Sequence, residues 1–396
     1  MSWPKVALPD AFWFQEGPGL RNWQFTTEGI KVLNVGNIMP DGSIDLSRTD
    51  RHVSLEEFNR KYSHFGVDEG DLVIASSGIS FDEDGFLRTK VGFIESEHLP
   101  LCMNTSTIRF KAVEGKSDLR FLKHWFQSVD FRRQVSQRVT GTAQLNFGPS
   151  HLKTMTIELP PLEEQKRIAA ILDKTDELRR LRQRGIDRLN SLGQAIFHEM
   201  FGDTANAQRV PLGDVIDVRS SLADPKLPEY RDLPHVGPEH ISSGSGRISW
   251  ERVVSCQEDC VNSGKYVFEE GDVIYSKIRP YLDKVAMVDR KGMCSADMYA
   301  LSCKLEHCLP SFIHFALGTS DFLSYAALSS GRANIPKINR KQLLGYPIPL
   351  PTLEEQKKFE NKIQRLEESR CVAERHLNRT ESLFASLQSR AFRGEL

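Results

Sequence analysis

The sequence predicts an α+β fold in which two similar globular domains are separated by two long antiparallel coiled-coil helices, with pseudo-two-fold symmetry. Three observations lead to this prediction. An eight-residue block, Leu159–Lys166, returns 191 residues later as Leu350–Lys357 in a chain of 396, with Pro161 against Thr352 as the one difference. Each copy opens a long helical pattern, and each follows about 150 residues of strand-rich sequence. Repetition on this scale indicates a chain built from two copies of one unit.

The composition is that of a globular protein with two or three domains. The chain has 39% hydrophobic and 27% charged residues and a net charge of -1, so any basic surface for nucleic acid must be local. An apolar run of about 18 residues does not occur, and the N-terminus lacks the apolar core of a signal peptide. Seven cysteines in such a sequence predict reduced thiols and a cytoplasmic location, with no membrane contact.

Residues 1–158 form the first predicted globular domain. Its β-branched runs are interrupted by Gly, Asp and Asn, which is typical of short strands. The predicted strands include Ile30–Val35, Leu72–Ala75, Val91–Ile94 and Thr107–Phe110. A helical stretch over Leu119–Arg138, a Gly-containing loop and a short segment at Met155–Leu159 complete this domain.

Residues 159–203 and 350–396 contain the two predicted long helices. Prolines and glutamates mark the start of the first at Leu162, and Gly202 marks its end. A helix of about 40 residues is about 60 Å long. Thr352 and Glu355 have the spacing of a capping box in the second copy, whereas Pro161 removes this cap from the first. We expect the second helix to extend about four residues further than the first.

Both helices carry an apolar stripe at helical spacing. In the first helix it comprises Ile168, Ile171, Leu172, Thr175, Leu178, Leu181, Ile186, Leu189, Leu192 and Ile196. In the second it is nearly a strict heptad of Phe359, Ile363, Leu366, Arg370, Ala373, Leu377, Thr380, Phe384, Leu387 and Ala391. Because such stripes must be buried, antiparallel pairing is expected, and the helix length would then set the distance between the domains. In the alternative, each helix packs only on its own domain.

Residues 204–349 form the second predicted globular domain. Its predicted strands are Val253–Val254, Tyr266–Phe268, Val273–Tyr275 and Val285–Val288, followed by a helix near Ser311–Leu328. Further matches join the two domains in the same order along the chain. They are Gly70–Ile74 with Gly271–Tyr275, Asp130-Phe131 with Asp321-Phe322, and Gly141-x-Ala143 with Gly331-x-Ala333.

The repeated Leu-Pro-x-Leu-Glu-Glu-Gln-Lys block, the Gly-Asp strands and the closing Ala391–Leu396 resemble the specificity subunit (S subunit) of type I restriction-modification systems. The resemblance covers the whole chain in the order of recognition domain, conserved helix, recognition domain and conserved helix. It implies a non-catalytic subunit in which each target recognition domain reads one half of a bipartite, asymmetric double-stranded DNA target. The paired helices would fix the spacing between the two halves.

The same resemblance implies the partners and their cofactors. Two methylase (M) subunits would dock on the helices, and two restriction (R) motor-nuclease subunits would join the full complex. The assembled complex would be an adenine-N6 DNA methyltransferase and an ATP-dependent endonuclease. No cofactor is expected on this chain, whereas S-adenosylmethionine, ATP and Mg are expected on the partner subunits.

The candidate DNA-binding residues lie in two pairs of loops, one after the Gly-Asp strand and one after the helical stretch of each domain. Base readout in the major groove uses Arg or Lys for guanine and Asn or Gln for adenine, and phosphates take basic and small polar groups. In the first domain the candidates are Ser76, Ser77, Arg132, Arg133, Arg138, Thr140, Gly141, Thr142, Gln144 and Asn146. In the second they are Tyr275, Ser276, Lys277, Arg279, Tyr281, Ser330, Gly331, Arg332, Asn334 and Lys337. Without the resemblance, solvated turns with no ligand would be the simpler interpretation.

The candidate residues for the spacer and for methylase docking lie at the helix starts. They are Leu162, Glu163, Gln165, Ile168 and Leu172 in the first copy, and Leu353, Glu354, Gln356, Phe359 and Ile363 in the second.

Motifs for catalysis and metal binding are missing from the sequence. It contains no Walker ATP-binding loop, no Asn-Pro-Pro-aromatic methylase motif, no His-Glu-x-x-His and no paired zinc cysteines. We therefore predict no catalytic residue and no metal. The alternatives are a coiled-coil protein adaptor without DNA readout, a specificity module of a related DNA-modification defence system, and an enzyme with its own methylase or nuclease activity.

Overall fold

The structure is a computed structural model that describes residues 3–78, 80–81, 87–138, 146–202, 209–330 and 335–396. The chain divides into two compact units. The first unit comprises Met1–Leu181 with Leu377–Leu396, and the second comprises Arg182–His376. Each unit therefore contains one globular domain and half of each long helix.

The first unit begins with a series of short elements and leads into the first long helix. Its strands are β1 Lys5–Ala7, β2 Phe12–Glu16, β3 Ile30–Leu33, β4 His52–Val53, β5 Leu72–Ala75, β6 Ser80–Phe81, β7 Leu87–Arg88, β8 Val91–Phe93, β9 Leu101–Met103, β10 Thr107–Ala112 and β11 Thr156–Glu158. Its helices are α1 Leu8–Ala11, α2 Leu55–Glu57, α3 Leu119–Phe126, α4 Val129–Ser136, α5 Pro149–Leu152 and the start of α6 Leu162–Phe201.

The second unit follows the same plan. Its strands are β12 Arg209–Pro211, β13 Ile216–Val218, β14 Leu222–Ala223, β15 His235–Val236, β16 Lys265–Phe268, β17 Val273–Ser276, β18 Val285–Met287, β19 Gly292–Cys294, β20 Met298–Cys303 and β21 Pro347–Pro349. Its helices are α7 Leu212–Val215, α8 Pro310–Ala316, α9 Ser320–Ser329, α10 Arg340–Leu344 and the start of α11 Leu353–Ala391.

The two units share the topology of one four-stranded sheet. A four-stranded antiparallel sheet has the order β2-β10-β5-β8 in the first unit and β13-β20-β17-β18 in the second. Each unit also contains one parallel pair, β3 with β9 and β15 with β19. An antiparallel pair links the start of each domain to the strand before its long helix, β1 with β11 and β12 with β21. The duplication predicted from sequence therefore extends to the strand order and direction of this four-stranded sheet. The sheets that contain the parallel pairs differ, with the order β4-β3-β9 in the first unit and β14-β16-β19-β15 in the second.

The half-helices in each unit are part of that unit's hydrophobic core. In the first unit, Ile168 and Leu172 of α6 share a core with Phe384 and Ala391 of α11. In the second, Phe197 of α6 packs 5.4 Å from Phe359 of α11, between ring centroids. In each unit, the N-terminal half of one long helix therefore lies beside the C-terminal half of the other, as antiparallel pairing requires. Both halves also pack on the globular domain of that unit.

The heptad stripe of α11 is confirmed, because all ten of its predicted residues are buried or half-buried. The stripe of α6 is only partly correct. Leu178, Leu181 and Leu192 are 41%, 50% and 43% exposed. The helices contain 40 and 39 residues, so the expected extension of the second helix is wrong.

Two further element predictions need correction. The pair Val253–Val254 is not a strand, because it follows a helical turn at Trp250–Arg252 and Val254 is exposed. Each of the two predicted helical stretches is divided into two helices. The first, Leu119–Arg138, contains α3 and α4, and the second, near Ser311–Leu328, contains α8 and α9. Ser128 and Thr319 separate them, since each side-chain oxygen accepts from a backbone N–H of the following helix, at 3.3 Å in both cases.

Candidate nucleic-acid interface

The repeated Gly-Asp pair forms the same turn in each unit. Gly70 and Gly271 have φ of +84° and +85°, a conformation that favours glycine, and a Cβ at either position would meet no other atom within 4 Å. Asp71 accepts from the N–H of Asp68 at 2.9 Å. Its counterpart Asp272 makes the equivalent bond at 2.8 Å and pairs with an arginine on a neighbouring segment. This turn fixes the start of β5 and β17, and with it the loop that follows each strand.

In the second unit the structure brings the two predicted loops together. We call Lys277–Tyr281 and Ile335–Ile338 the second junction. The N–H of Ile338 donates to the carbonyl of Lys277 at 3.0 Å, and the N–H of Arg279 donates to the carbonyl of Pro336 at 2.8 Å. Ile278 and Lys337 also form an antiparallel bridge.

In the first unit the equivalent loops meet in the same way. We call Ser76–Gly78 and Asn146–Phe147 the first junction. The N–H of Phe147 donates to the carbonyl of Ser76 at 3.0 Å, which is the counterpart of the bond between Ile338 and Lys277. Two segments that are separated by many residues in the sequence are thus joined at one place in both units.

The second junction exposes Arg279, Tyr281 and Lys337. Tyr281 is 56% exposed, and Lys337 lies 4.0 Å from the carboxylate of Asp297. Arg279 has φ of +47°, which directs the chain into the helical turn Pro280–Leu282. These side chains combine two cations with an aromatic ring, a set that can contact phosphates and base edges.

Lys277 is also part of the second junction, but it is only 8% exposed. Its ammonium lies 5.0 Å from the ring centroid of Tyr299. Burial lowers the pKa of Lys277, and the nearby charge of Lys337 lowers it further. The positive charge of Lys277 is therefore held among aromatic rings behind the exposed cations.

Three candidates of the second domain have structural roles in the described chain. Tyr275 is 1% exposed and packs 5.7 Å from Phe322, between ring centroids, and burial raises its pKa. The hydroxyl of Ser276 donates to the carbonyl of Ile278 at 3.1 Å. The hydroxyl of Ser330 donates to the carbonyl of Ala327 at 2.8 Å. None of these side chains presents a large surface to a ligand.

The candidates of the first domain are divided between exposed and internal positions. Ser76 is buried, Ser77 is half-buried and Asn146 is exposed. Arg133 is exposed and pairs with Asp130 at 2.7 Å, and Arg132 is half-buried on the same helix. The guanidinium of Arg138 makes hydrogen bonds within its own domain. It donates to the carbonyl of Gln134 at 2.8 Å and to the hydroxyl of Thr154 at 3.0 Å.

Seven of the predicted DNA-binding residues lie outside the described residues. They are Thr140, Gly141, Thr142, Gln144, Gly331, Arg332 and Asn334. The residue that follows each undescribed stretch, Asn146 in the first unit and Ile335 in the second, belongs to a junction.

Gln165 and Gln356, predicted for the spacer and for docking, are fully buried at the start of α6 and α11. Each donates to two backbone carbonyls and accepts from one backbone N–H. In the first unit the partners are Lys116, Pro160 and Asp118, at 2.9, 2.8 and 2.9 Å. In the second unit they are His307, Pro351 and Leu309, at 3.0, 2.9 and 2.8 Å. These glutamines attach each long helix to the turn before α3 or α8.

The other predicted spacer and docking residues are divided by burial. Ile168, Leu172 and Phe359 are 0% exposed and Ile363 is 9% exposed, so they belong to the cores. Leu162 and Leu353 are half-buried. Glu163 and Glu354 are exposed and pair with Lys166 and Lys358, at 2.8 and 2.7 Å. A partner on this surface would meet mainly the charged residues of these helix starts.

Sequence reasoning missed the exposed apolar residues near the second junction. Ile335 is 51% exposed within it, and Leu328 is 87% exposed on α9, a helix that packs against Pro280–Leu282. In the sequence, both residues are apolar side chains next to a polar segment that contains glycine, and this contrast could have identified them. The criteria for base and phosphate contacts favour polar, basic and glycine residues, so they do not point to apolar side chains such as these.

Within the described ranges, no group of three or more His, Cys, Asp or Glu side chains is arranged to hold a metal ion. The helices described here also include none that is both long and apolar enough to cross a membrane.

Comparisons with known proteins agree with the fold and with the duplication. The family model of the type I restriction modification DNA specificity domain matches residues 26–191 and 205–378. The type I restriction enzyme EcoDI specificity subunit of Escherichia coli is 36% identical over 211 residues, which cover 52% of this chain and 46% of that relative. The MjaVIII specificity subunit of Methanocaldococcus jannaschii is 23% identical over 328 residues, covering 76% and 73% of the two chains. The chain thus matches less than half the length of the first relative.

Two solved structures show the same fold. A chain from a study of complex assembly and conformational transition of the type I R-M system has a TM-score of 0.58 and 18% identity, with 100% and 98% of the two chains covered. The type I restriction-modification system S subunit from M. genitalium has a TM-score of 0.54 and 16% identity, with 98% and 96% covered.

A duplicated α+β domain, each copy followed by a long helix, defines a two-domain recognition protein. Because the family model covers most of the sequence in two matches, the chain belongs to the type I restriction-modification DNA specificity family and carries two of its domains.

Proposed function

We propose that this chain is the specificity subunit of a type I restriction-modification complex and that it reads a bipartite DNA target, one half with each domain. The observation that carries the proposal is the repeated junction. In both units the loop after the Gly-Asp strand is hydrogen-bonded to the segment before the last short helix, through equivalent atoms at 3.0 Å. Two recognition surfaces built by the same local structure suit a protein that reads two half-sites.

The side chains of the second junction support a DNA ligand. Arg279 and Lys337 are exposed cations on two backbone segments that are joined by the bridge between Ile278 and Lys337, and Tyr281 adds an exposed ring. An arginine can donate two hydrogen bonds to guanine, and a lysine can neutralise a phosphate. Asn146 is the exposed amide of the first junction and is suited to adenine. The two junctions carry different side chains, so we expect the two half-sites to differ in sequence.

The proposal assigns chemistry to partner subunits and recognition to this chain. Two methylase subunits would dock on the long helices and use S-adenosylmethionine to methylate one adenine in each half-site. Two restriction subunits would supply ATP- and Mg-dependent translocation and cleavage. The exposed Glu163 and Glu354 at the equivalent helix starts are suited to basic groups on two identical partners.

The decisive experiment maps methylated adenines when the chain is expressed with its methylase subunit. We expect methylation at one two-part sequence. Arg279→Ala should relax the sequence at one half-site by about 1–3 kcal/mol of discrimination and leave the other half-site unchanged, because Arg279 belongs to one unit only. Arg252→Ala removes an exposed cation of the same unit outside the second junction and should change neither half-site. Methylation without sequence preference, or relaxation of both half-sites by Arg279→Ala, would contradict the proposal.

A further inference from the structure

A cavity of about 620 Å³ lies in the second unit. Its walls come from α6, α8, α11 and the hairpin that is closed by the bridge between Ile241 and Ile248. The volume is within the range of small-molecule sites. It is separate from the second junction, because none of the junction residues lines it.

Four buried polar atoms without a hydrogen-bond partner line this cavity. They are Asn190 Oδ1, Asp283 Oδ1, His314 Nδ1 and Arg370 Nε. Arg370 Nε is a donor and lies 3.8 Å from Glu374 Oε1, whereas the other three atoms can accept a hydrogen bond. Buried polar atoms are nearly always hydrogen-bonded in native proteins, so these three acceptors around one cavity indicate a bound donor group.

The charges of the cavity favour a cation. Four carboxylates line it against two guanidinium groups, which leaves two negative charges in excess. Both guanidinium groups are already paired, Arg247 with Glu374 and Arg370 with Glu367. Asp283 and Glu360, in contrast, have no basic partner within 4.0 Å among the described residues, and Glu360 accepts only from the hydroxyl of Ser311 at 3.0 Å.

Asp283 is held at the cavity by its backbone. It has φ of +46°, and its carbonyl accepts from the N–H of Gly244 at 3.0 Å. Burial raises the pKa of Asp283 to about 6, and no neighbouring cation opposes this increase. An ionised carboxylate in such a place is unfavourable until a positive group pairs with it.

The first unit provides an internal comparison. Thr89 occupies the position of Asp283, two residues before the equivalent strand, and its hydroxyl donates to the carbonyl of Phe126 at 3.1 Å. The corresponding cavity is smaller, about 290 Å³, and is lined by Lys123. Lys123 lies 191 residues before His314, the offset that relates the two copies, so the first unit supplies an ammonium group where the second has a histidine.

We propose that the cavity of the second unit binds a small organic cation with an ammonium or guanidinium group. Asp283 and Glu360 are its counter-ions, and Asn190 Oδ1 is an acceptor for its N–H groups. Trp250 and Phe315 supply aromatic surface for the carbon chain and for the cation.

The test is calorimetric titration of the full chain, without DNA, with putrescine and with agmatine. Butane-1,4-diol is the control ligand, since it resembles putrescine in length but has no charge. We expect at least one of the two cations to bind with a Kd below about 1 mM and the diol not to bind.

Asp283→Asn keeps the side-chain shape, removes the charge and should weaken cation binding at least tenfold. Asp289→Asn removes a carboxylate from the same wall that is already paired with Arg290, and should change binding less than twofold.

Three outcomes would overturn the proposal: no binding of either cation, equal binding of the diol, or equal losses in the two variants. A thermal unfolding profile of each variant establishes that it is folded, and cation binding should raise the midpoint of the wild type but not that of Asp283→Asn. Because the assay contains no DNA and no methylase, its result is independent of the methylation map.

Discussion

At the level of single residues, the repeated glutamines show that a repeated sequence motif can have a structural role that the sequence does not reveal. Gln165 and Gln356 were easy to find, because they occur in a block that is nearly identical in both copies. Their predicted role in docking on a partner remains untested. The structure gives them another role, since each is fully buried and joins a long helix to the globular domain through three backbone hydrogen bonds. Sequence alone could not distinguish these two reasons for repetition.

Gln356→Ala should therefore destabilise the second unit. The change leaves the N–H of Leu309 and the carbonyls of His307 and Pro351 without their buried partner, at a cost of about 1–3 kcal/mol. Urea unfolding followed by circular dichroism measures the loss. Lys357→Ala is the control, because Lys357 is the exposed neighbour on the same turn, and its unfolding midpoint should equal that of the wild type. Equal stability of the two variants would mean that the glutamine does not hold the helix to the domain.

Asp283 and His314 should have opposite effects on the pH dependence of stability. The pKa of Asp283 is raised from 3.8 to about 6, so between these values the folded chain binds the additional proton and stability falls as pH rises. The pKa of His314 is lowered from 6.5 to about 4 by burial and by Arg370, so over nearly the same range the unfolded chain binds the additional proton and stability rises with pH.

Each single variant should reveal the remaining contribution. We expect Asp283→Asn to make stability rise more steeply from pH 4 to 6.5 than in the wild type, because the opposing contribution of Asp283 is lost while that of His314 remains. His314→Gln should make stability fall over the same range, relative to the wild type. Urea unfolding at half-unit pH intervals gives both slopes. Parallel profiles for all three proteins would show that neither group titrates differently in the folded state.

At the level of elements, the long helices and the strands with strong β-branched runs were predictable, whereas many short strands and the breaks between short helices were not. The strand Leu72–Ala75 was predicted with its observed bounds, because a β-branched run between turn residues has few alternatives. Ser128 and Thr319 interrupt the predicted helical stretches as N-caps. Both precede the Asp-Phe pair that the two copies share, so the repeat did contain the signal. The exposed leucines of α6 were not predictable, because helical spacing does not say which apolar residues meet a partner.

Thr352 should contribute measurably to the start of α11. Its hydroxyl accepts from the N–H of Glu355 at 3.3 Å, and the Glu355 carboxylate accepts from the N–H of Thr352 at 2.9 Å. Thr352→Ala removes the cap and should cost about 1 kcal/mol in the free energy of unfolding. Ser369→Ala changes an exposed hydroxyl in the middle of the same helix and should cost less. A larger loss for Ser369→Ala than for Thr352→Ala would show that the capping box does not stabilise this helix.

At the level of the whole molecule, the duplication allowed the domain architecture to be predicted from the sequence, whereas the DNA-recognition surface could be predicted only in part. Repeated motifs in one order predicted two domains with one topology, and the orders of the two four-stranded sheets β2-β10-β5-β8 and β13-β20-β17-β18 agree. The choice between exposed and buried side chains in the junctions depends on tertiary packing. Tyr275 and Arg279 are four residues apart in the sequence, yet one belongs to a core and the other is exposed. Residue type alone therefore gave too many candidates for DNA contact.

The proposed spacer role of the long helices leads to a prediction for the DNA target. Seven residues inserted after Leu181 in α6 and seven after His376 in α11 fall at the two boundaries between the compact units, so the internal contacts of each unit are kept. Each insertion adds about 10.5 Å of helix. It also rotates the residues after the insertion by about 20° from their original face of the helix, because seven residues make nearly two full turns. Since base pairs are spaced about 3.4 Å apart, the gap between the half-sites should increase by about three base pairs.

Methylation mapping of the doubly extended chain, expressed with its methylase subunit, measures that gap. Both half-sequences should remain those of the wild type, because the junctions are unchanged. An insertion in α6 alone is the control, and it should lower the stability of the chain because the apolar residues of α6 and α11 would no longer meet in register. A doubly extended chain that methylates its original target with the original gap would show that these helices do not set the spacing. A change in either half-sequence would instead mean that recognition depends on the helices as well as on the two junctions.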